Sequence, residues 1–192
     1  NDKARQEAIY KKTTELYPYD FRAYNNLGMM AYANGDFTTA ENYFKQAASK
    51  DANAPEVNTN LGYIELVKGN VANAETYLSK STGANTANEA LGNLYIKQGQ
   101  YDRAVQAFGD TKTNSAALAQ ILAKDYNKAK NTLNAVKNPD AYTDYLMAIV
   151  GARTNNADLV KTSMAKVAQK DATLAAKAQI DREFAKYANE IK

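Results

Sequence analysis

The stretch "YNNLGMMAYANGDFTTAENYF", residues 24–44, holds two glycines seven residues apart inside a strong helical pattern. Gly35 predicts the end of one helix, because the left-handed conformation that terminates helices is readily adopted only by glycine. Asp36 follows it as a helix-starting residue, and Asn70 holds the same place after Gly69. Gly28 lies mid-helix, where glycine costs about 1 kcal/mol relative to alanine. Close packing against a second helix must compensate for that cost, so the stretch predicts a helical hairpin.

The spacing of this stretch recurs along the chain. A glycine followed five residues later by an alanine occurs at Gly35/Ala40, Gly69/Ala74 and Gly99/Ala104, and the frame continues to Lys124/Ala129 and, more weakly, Asn155/Val160. A Leu-Gly pair precedes the first three at residues 27–28, 61–62 and 91–92. Four residues after each alanine position stands a large apolar side chain: Phe44, Leu78, Phe108, Leu133 and Met164. Such recurrence argues against chance glycines in a generic bundle and for a repeat architecture.

The units resemble the tetratricopeptide repeat, which reads W-x2-L-G-x2-Y and then A-x3-F over about 34 residues. The first unit matches at Tyr24, Leu27, Gly28, Ala40 and Phe44, and the third at Leu91, Gly92, Tyr95, Ala104 and Phe108. The resemblance covers about residues 21–109 and weakens towards the C-terminus. It implies an all-α fold, a right-handed α-solenoid of stacked antiparallel helix pairs with about 11–12 helices.

We expect one repeat domain over residues 1–192. Its expected parts are a lone helix at 2–16, clear repeats at 21–54, 55–84 and 85–109, degenerate repeats at 110–138 and 139–170, and a capping helix at 172–191. The fourth repeat is too short for two helices of ordinary length. In the last segment Ile180, Phe184, Tyr187 and Ile191 recur at helical spacing, which predicts a single apolar face under a charged outer face.

Small residues are expected to hold each helix pair together, because they let two backbones approach closely. The predicted packing pairs set mid-helix glycines against alanines of the second helix: Gly28 with Ala40, Gly62 with Ala74, and Gly92 with Ala104.

Composition removes several classes of function. The 24 basic and 21 acidic residues give a net charge of only +3, without a basic run, so no nucleic-acid partner is predicted. Cysteine and histidine are both absent, which removes the commonest catalytic bases, thiol nucleophiles and transition-metal ligands. We predict no catalytic residues, no metal, no cofactor and no small-molecule substrate, and therefore a protein that is not an enzyme. No apolar stretch approaches the roughly 20 residues of a membrane span, so no membrane insertion is expected.

The resemblance places the first helix of each repeat on a concave surface. The predicted peptide-binding groove comprises Asn25, Asn26, Met29, Tyr32, Asn60, Tyr63, Leu66, Asn93 and Lys97, and a fifth repeat would add Tyr142, Tyr145, Ile149 and Arg153. Such a mixture of apolar, aromatic and amide side chains suits an extended peptide or a partner helix. Asparagine both donates and accepts hydrogen bonds, so it can pair with any peptide backbone.

Two family binding modes can be compared with these positions. Asn26 and Asn60 hold equivalent places and resemble the asparagine ladder by which some tetratricopeptide proteins grip peptide backbone, although Ala90 breaks the series. The alternative is that these asparagines merely face solvent. The carboxylate clamp of chaperone-binding members is disfavoured, because no cation occupies the matching positions. Glu56 and Glu89 are more typical of helix-dipole partners than of a catalytic carboxylate pair.

The leading hypothesis is a protein-protein interaction module that binds a peptide or partner helix. The alternative is a structural or scaffolding segment of a larger bacterial envelope protein that binds no free ligand. The chain lacks an initiator Met and is rich in Asn, Thr and Tyr. These features favour an exported or periplasmic bacterial protein over a cytoplasmic one.

Overall fold

The structure, a computed structural model, describes residues 2–81 and 85–191, so the end of the second expected repeat, residues 82–84, lies outside the described part. The described residues form helices and connecting turns, without a strand. The helices are α1 (Asp2–Leu16), α2 (Phe21–Ala33), α3 (Phe37–Lys50), α4 (Pro55–Val67), α5 (Val71–Lys80), α6 (Asn85–Lys97), α7 (Tyr101–Phe108), α8 (Asn114–Leu122), α9 (Tyr126–Asn134), α10 (Ala141–Arg153), α11 (Ala157–Lys170) and α12 (Ala172–Ala178), followed by a 3-10 helix (Arg182–Tyr187). The fold class is therefore the all-helical repeat solenoid that the sequence predicts.

The chain divides into two compact units, Asn1–Leu94 and Tyr95–Lys192. In the N-terminal unit α2 packs against α3 and α4 against α5, while α1 packs on α2. In the C-terminal unit α8 packs against α9 and α10 against α11. The fourth repeat fits its short interval by using two helices of only nine residues each, α8 and α9.

The turn between the paired helices has the same geometry in all five repeats. The residue at the glycine position has a positive φ in each: Gly35 (79°), Gly69 (77°), Gly99 (72°), Lys124 (65°) and Asn155 (54°). The next residue's N–H then donates to the carbonyl five residues before it, at 2.8–3.0 Å. This is the Schellman motif, which satisfies carbonyls at the end of the first helix. The repeat frame therefore extends to the two degenerate repeats, where glycine is absent.

Lys124 holds the glycine position of the fourth turn and has a positive φ. For a residue with a Cβ this left-handed conformation costs about 1–2 kcal/mol. Lys124→Gly is expected to raise the free energy of unfolding by about 1 kcal/mol, after glycine's greater freedom in the unfolded chain is subtracted. Urea denaturation followed by circular dichroism measures the change. Lys130→Gly, within α9, is the matched control and should lose about 1 kcal/mol. A loss at both positions would contradict the strain at Lys124.

The two expected helix-starting residues behave differently. Asp36 accepts a hydrogen bond from the Thr39 N–H at 3.0 Å, as an N-cap should. Asn70 makes no such cap, contrary to expectation. Its amide instead donates to the buried Glu65 carboxylate at 2.9 Å, because that carboxylate needs donors to be accommodated away from water.

The mid-helix glycines are buried, and Ala40, Ala74 and Ala104 have no exposed surface. The nearest side chain to Gly28 is however not Ala40, since a Cβ added there would lie 2.5 Å from the ring of Phe44. A Cβ on Gly62 would likewise lie 2.7 Å from Leu78. The glycines thus make room for the large residue one turn beyond the predicted alanine.

The expected capping helix at 172–191 is wrong as a single element. Helix α12 ends at Ala178, and the chain then turns into the 3-10 helix that packs on α10. The break takes Ile180 out of the predicted apolar face and leaves it 85% exposed. Phe184 and Tyr187 remain buried, because the turn carries them into the core beside Val160 and Met164. Asp181 caps the new element by accepting from the Glu183 N–H at 2.9 Å.

Candidate functional site

The first helices of the N-terminal unit are joined side by side through asparagine. The Asn60 amide on α4 donates to Asn25 Oδ1 on α2 at 2.8 Å. Asn25 is only 6% exposed, and its own amide points to the sulfur of Met29 at 3.8 Å. This contact joins α2 to α4; we call the surface formed by α2, α4 and the part of α6 up to Leu94 the first-helix face.

Tyr63 extends this face from α4 to α6. Its hydroxyl donates to the Thr86 carbonyl in the first turn of α6, at 3.3 Å. Glu89 lies three residues further along α6 and therefore on the same side of that helix. Burial raises the pKa of the Tyr63 hydroxyl, and the charge of Glu89 and the nearby Tyr32 raise it further. The hydroxyl therefore remains a neutral hydrogen-bond donor at physiological pH.

Apolar side chains on the first-helix face are open to solvent. Met29 is 51% exposed and Val67 is 47% exposed. Tyr32 and Leu66 are half-buried, and the Tyr32 ring is held edge-on to Phe37 with 5.2 Å between ring centres. Large exposed apolar groups beside fixed polar ones are typical of a binding surface.

Polar atoms on this face also remain available. Asn60 uses its amide N–H on Asn25, whereas its side-chain oxygen accepts no hydrogen bond from the described residues. Asn26 is half-buried and likewise makes no side-chain bond within that part of the chain. An incoming peptide backbone could therefore find acceptors here without breaking the contact between α2 and α4.

Besides the buried Glu65, the charged side chains of α2, α4 and α6 up to Leu94 are Arg22, Glu56 and Glu89. Arg22 is the cation in this set, and its guanidinium is already bonded to the Asp20 carboxylate, with Nε to Oδ1 at 2.9 Å. Glu56 and Glu89 make no ion pair with any described residue. The face consequently presents two uncompensated carboxylates.

The structure brings together five of the nine predicted groove residues by direct contact or proximity: Asn25, Met29, Tyr32, Asn60 and Tyr63. The expected ladder, in which Asn26 and Asn60 grip the backbone of a peptide, stays a prediction; within the protein Asn60 bonds to Asn25 and not to the equivalent Asn26. Asn93 is exposed on α6 and joins none of these residues by a bond among the described atoms. Lys97 is exposed and belongs to the C-terminal unit.

The corresponding face of the fifth repeat is covered by the chain itself. Tyr145 donates to Asp181, and its ring stands edge-on to Phe184 with 5.5 Å between centres. Arg153 forms a two-point ion pair with Glu183, including Nη2 to Oε2 at 2.7 Å. Tyr145 and Arg153 are therefore packing residues of the C-terminal unit, contrary to their predicted place in a groove. Sequence periodicity could not reveal this, because the covering residues follow 30 or more positions later.

A second exposed aromatic surface lies in the turn between α1 and α2. Tyr17 is 63% exposed and Tyr19 is 87% exposed, on either side of Pro18. The Lys50 ammonium lies 5.9 Å from the Tyr19 ring centre and 5.7 Å from that of Tyr24, which is cation–π distance. The sequence signal for this surface is the Tyr-Pro-Tyr that separates the lone helix from the first repeat.

The described residues contain neither a helix that could span a membrane nor a cluster of metal-binding side chains. None of their helices combines the length and the apolar character that crossing a bilayer requires. Across residues 2–81 and 85–191, no three or more acidic side chains gather in a way that could hold a metal ion.

Sequence models of a known family match this chain over its clearer repeats. One sequence model of the tetratricopeptide repeat matches residues 4–55 and 25–89, and a second matches residues 89–112. Together they account for residues 4–112, which is more than half of the chain. A search of curated proteins finds no match.

Several solved structures share the fold. pilF of Pseudomonas aeruginosa superposes with a TM-score of 0.75 at 12% identity, over 98% of this chain and 90% of that one. YrrB, described as a tetratricopeptide protein with an unusual peptide-binding site, gives 0.68 at 17% identity, over 88% and 97%. PilW, described as a widely conserved type IV pilus biogenesis factor, gives 0.64 at 19% identity, over 96% and 90%. Identities this low show a common fold alone.

Proposed function

Because the chain belongs to the tetratricopeptide repeat family, which generally provides non-enzymatic protein-interaction scaffolds, we propose that its first-helix face binds an extended peptide. The observation that supports this most directly is the bond between Asn60 and Asn25, 2.8 Å long, in the middle of an exposed apolar surface. It holds amide groups in fixed positions beside Met29, so their orientation is settled before a ligand arrives. Preorganised polar groups lower the entropic cost of binding.

The chemistry of the face suits peptide backbone and apolar side chains together. The free oxygen of Asn60 can accept a hydrogen bond from a backbone N–H. The half-buried Tyr63 ring is fixed by the main chain at one end and by the bond from its hydroxyl to Thr86 at the other. Aromatic side chains in such positions carry much of the binding energy at protein interfaces. Met29 and Val67 would cover apolar side chains of the ligand on either side. YrrB, of the same fold, is described as binding peptide, which agrees with this proposal.

Asn60→Ala and Tyr63→Ala are expected to weaken peptide binding by about 10-fold and about 30-fold, respectively. The first removes one hydrogen-bonding group of about 1 kcal/mol together with the Asn25 contact, and the second removes an aromatic anchor of about 2 kcal/mol. The full chain is screened against an immobilised octapeptide library, and the affinity of each recovered peptide is measured by fluorescence anisotropy.

Asn127→Ala, on the second helix of the fourth repeat, is the matched control and should leave binding unchanged. Circular dichroism of each variant separates loss of binding from loss of fold. Equal affinities for wild type, Asn60→Ala and Tyr63→Ala would contradict the proposed location, and a library without any binder would contradict peptide binding itself.

A second candidate function is a structural role in the bacterial cell envelope, where the repeats position other proteins and take no free ligand. It is favoured by the likeness to pilF and PilW over 90% of each of those chains, since PilW is described as a pilus biogenesis factor. An exported or periplasmic location belongs to the same proposal. An export signal or a large envelope domain in the full reading frame, together with no peptide binder, would support this role over the first.

A further inference from the structure

Besides its asparagines and apolar residues, the first-helix face carries negative charge. Its two carboxylates are Glu56, in the first turn of α4, and Glu89, at the fifth residue of α6, and neither has an ion-pair partner among the described residues. Other carboxylates of the N-terminal unit are paired, such as Glu41 with Lys45 and Lys68 at 2.7 Å each. The charge on the first-helix face is therefore left without an internal counter-charge.

Glu89 lies on α6 within electrostatic reach of the Tyr63 side chain. The hydroxyl of Tyr63 is bonded to the Thr86 carbonyl, and Glu89 is three residues along the same helix. The ring of Tyr63 is half-buried, and so is Glu89, so water screens charges here less than on an open surface. A ring face next to a carboxylate attracts an ammonium or guanidinium group in two ways, through the ring quadrupole and through the full charge.

None of the ion pairs among the described residues involves Glu89. Arg22 is held by Asp20 at the start of α2, in a fork with Nε to Oδ1 at 2.9 Å. Lys68, at the end of α4, is held by Glu41 and Glu65. The remaining inward positions of α2, α4 and α6 up to Leu94 are neutral.

We propose that the peptide bound by the first-helix face is basic, and that a Lys or Arg of the ligand lies between Glu89 and the ring of Tyr63, next to an apolar residue that contacts Val67 or Met29. This inference rests on the proposed peptide-binding function and adds the class of ligand. An acidic ligand segment would meet Glu56 and Glu89 without compensation, which disfavours the binding of acidic segments.

The test uses the full chain and a positional-scanning octapeptide library, in which each position is fixed in turn as each amino acid. Lys and Arg should be enriched at one position by about threefold or more over Gln, and Asp and Glu should be depleted there. For a selected peptide, Glu89→Gln should weaken binding about threefold to tenfold at 50 mM salt, with a smaller effect at 500 mM. Replacing the ligand cation by Gln should weaken wild-type binding at least as much, and should weaken binding to the Glu89→Gln variant less, because only the Tyr63 ring then attracts the cation.

A charge exchange gives the sharpest result. Glu89→Lys should reject the basic peptide and bind the same peptide with Glu in place of its cation, whereas the control Glu190→Gln should behave as wild type. Peptides that bind through Asn60 and Tyr63 without any preference for cations would overturn the charge inference and leave the peptide-binding function standing. A library that yields no binder would overturn both.

Discussion

Replacing Phe44 with Ala is expected to lower the free energy of unfolding by about 3–5 kcal/mol. Phe44 is 1% exposed and contacts the cluster formed by Ala40, Ala47, Val57, Leu61 and Ile64, which joins the first two repeats. Truncation removes the burial of the ring and leaves a cavity that rigid helices fill poorly. Chemical denaturation in urea measures the change. Phe37→Ala is the matched control, because Phe37 is on the same helix but 39% exposed, and we expect a loss of about 1 kcal/mol.

The Phe44 ring also explains the mid-helix glycine, and a double-mutant cycle tests the connection. Gly28→Ala alone should destabilise the protein by about 1–2 kcal/mol, because the new Cβ would lie 2.5 Å from the buried Phe44 ring and would force the core to shift. In the Phe44→Ala background the ring is gone, so Gly28→Ala should instead stabilise by about 1 kcal/mol through helix propensity. The same sign in both backgrounds would show that Gly28 has another role.

Phe184→Ala is expected to destabilise the C-terminal unit by about 3–5 kcal/mol. The ring is 1% exposed, stands edge-on to Tyr145 and belongs to the core cluster with Val160, Met164 and Val167. A 3-10 helix of only six residues has little stability of its own. Here the 3-10 helix carries the core residue Phe184, so loss of that ring exposes the apolar face of α10 to water. The change is measured as the shift in the thermal midpoint and in the urea midpoint.

Ile180→Ala separates the two possible forms of the C-terminal segment. A single helix over 172–191 would place Ile180 on the same face as Phe184, and both truncations would cost several kcal/mol. In the structure Ile180 is 85% exposed, so its truncation should change stability by less than about 0.5 kcal/mol. Comparable losses at both positions would support the continuous helix.

The amino-acid sequence by itself determined the repeat frame, because helix ends are specified locally. The turn after each first helix depends on backbone hydrogen bonds that span only five residues, and a glycine or an asparagine marks it in four of the five repeats. Lys124 gives no such signal, but the frame set by its neighbours still located it correctly. Which residues lie on the first-helix face was also predictable in part, because equivalent positions of successive repeats lie on the same side of a solenoid.

Only the tertiary structure decided which side chains within that frame meet. Asn60 bonds to Asn25, although Asn26 holds the equivalent place in its repeat, because side-chain reach between two helices decides such a contact. The C-terminal segment shows the same limit, since its apolar spacing fits a continuous helix as well as a broken one. Contacts with Tyr145 and Arg153, about 30 residues earlier, select the broken form. Local sequence carries no information about a partner that only folding brings near.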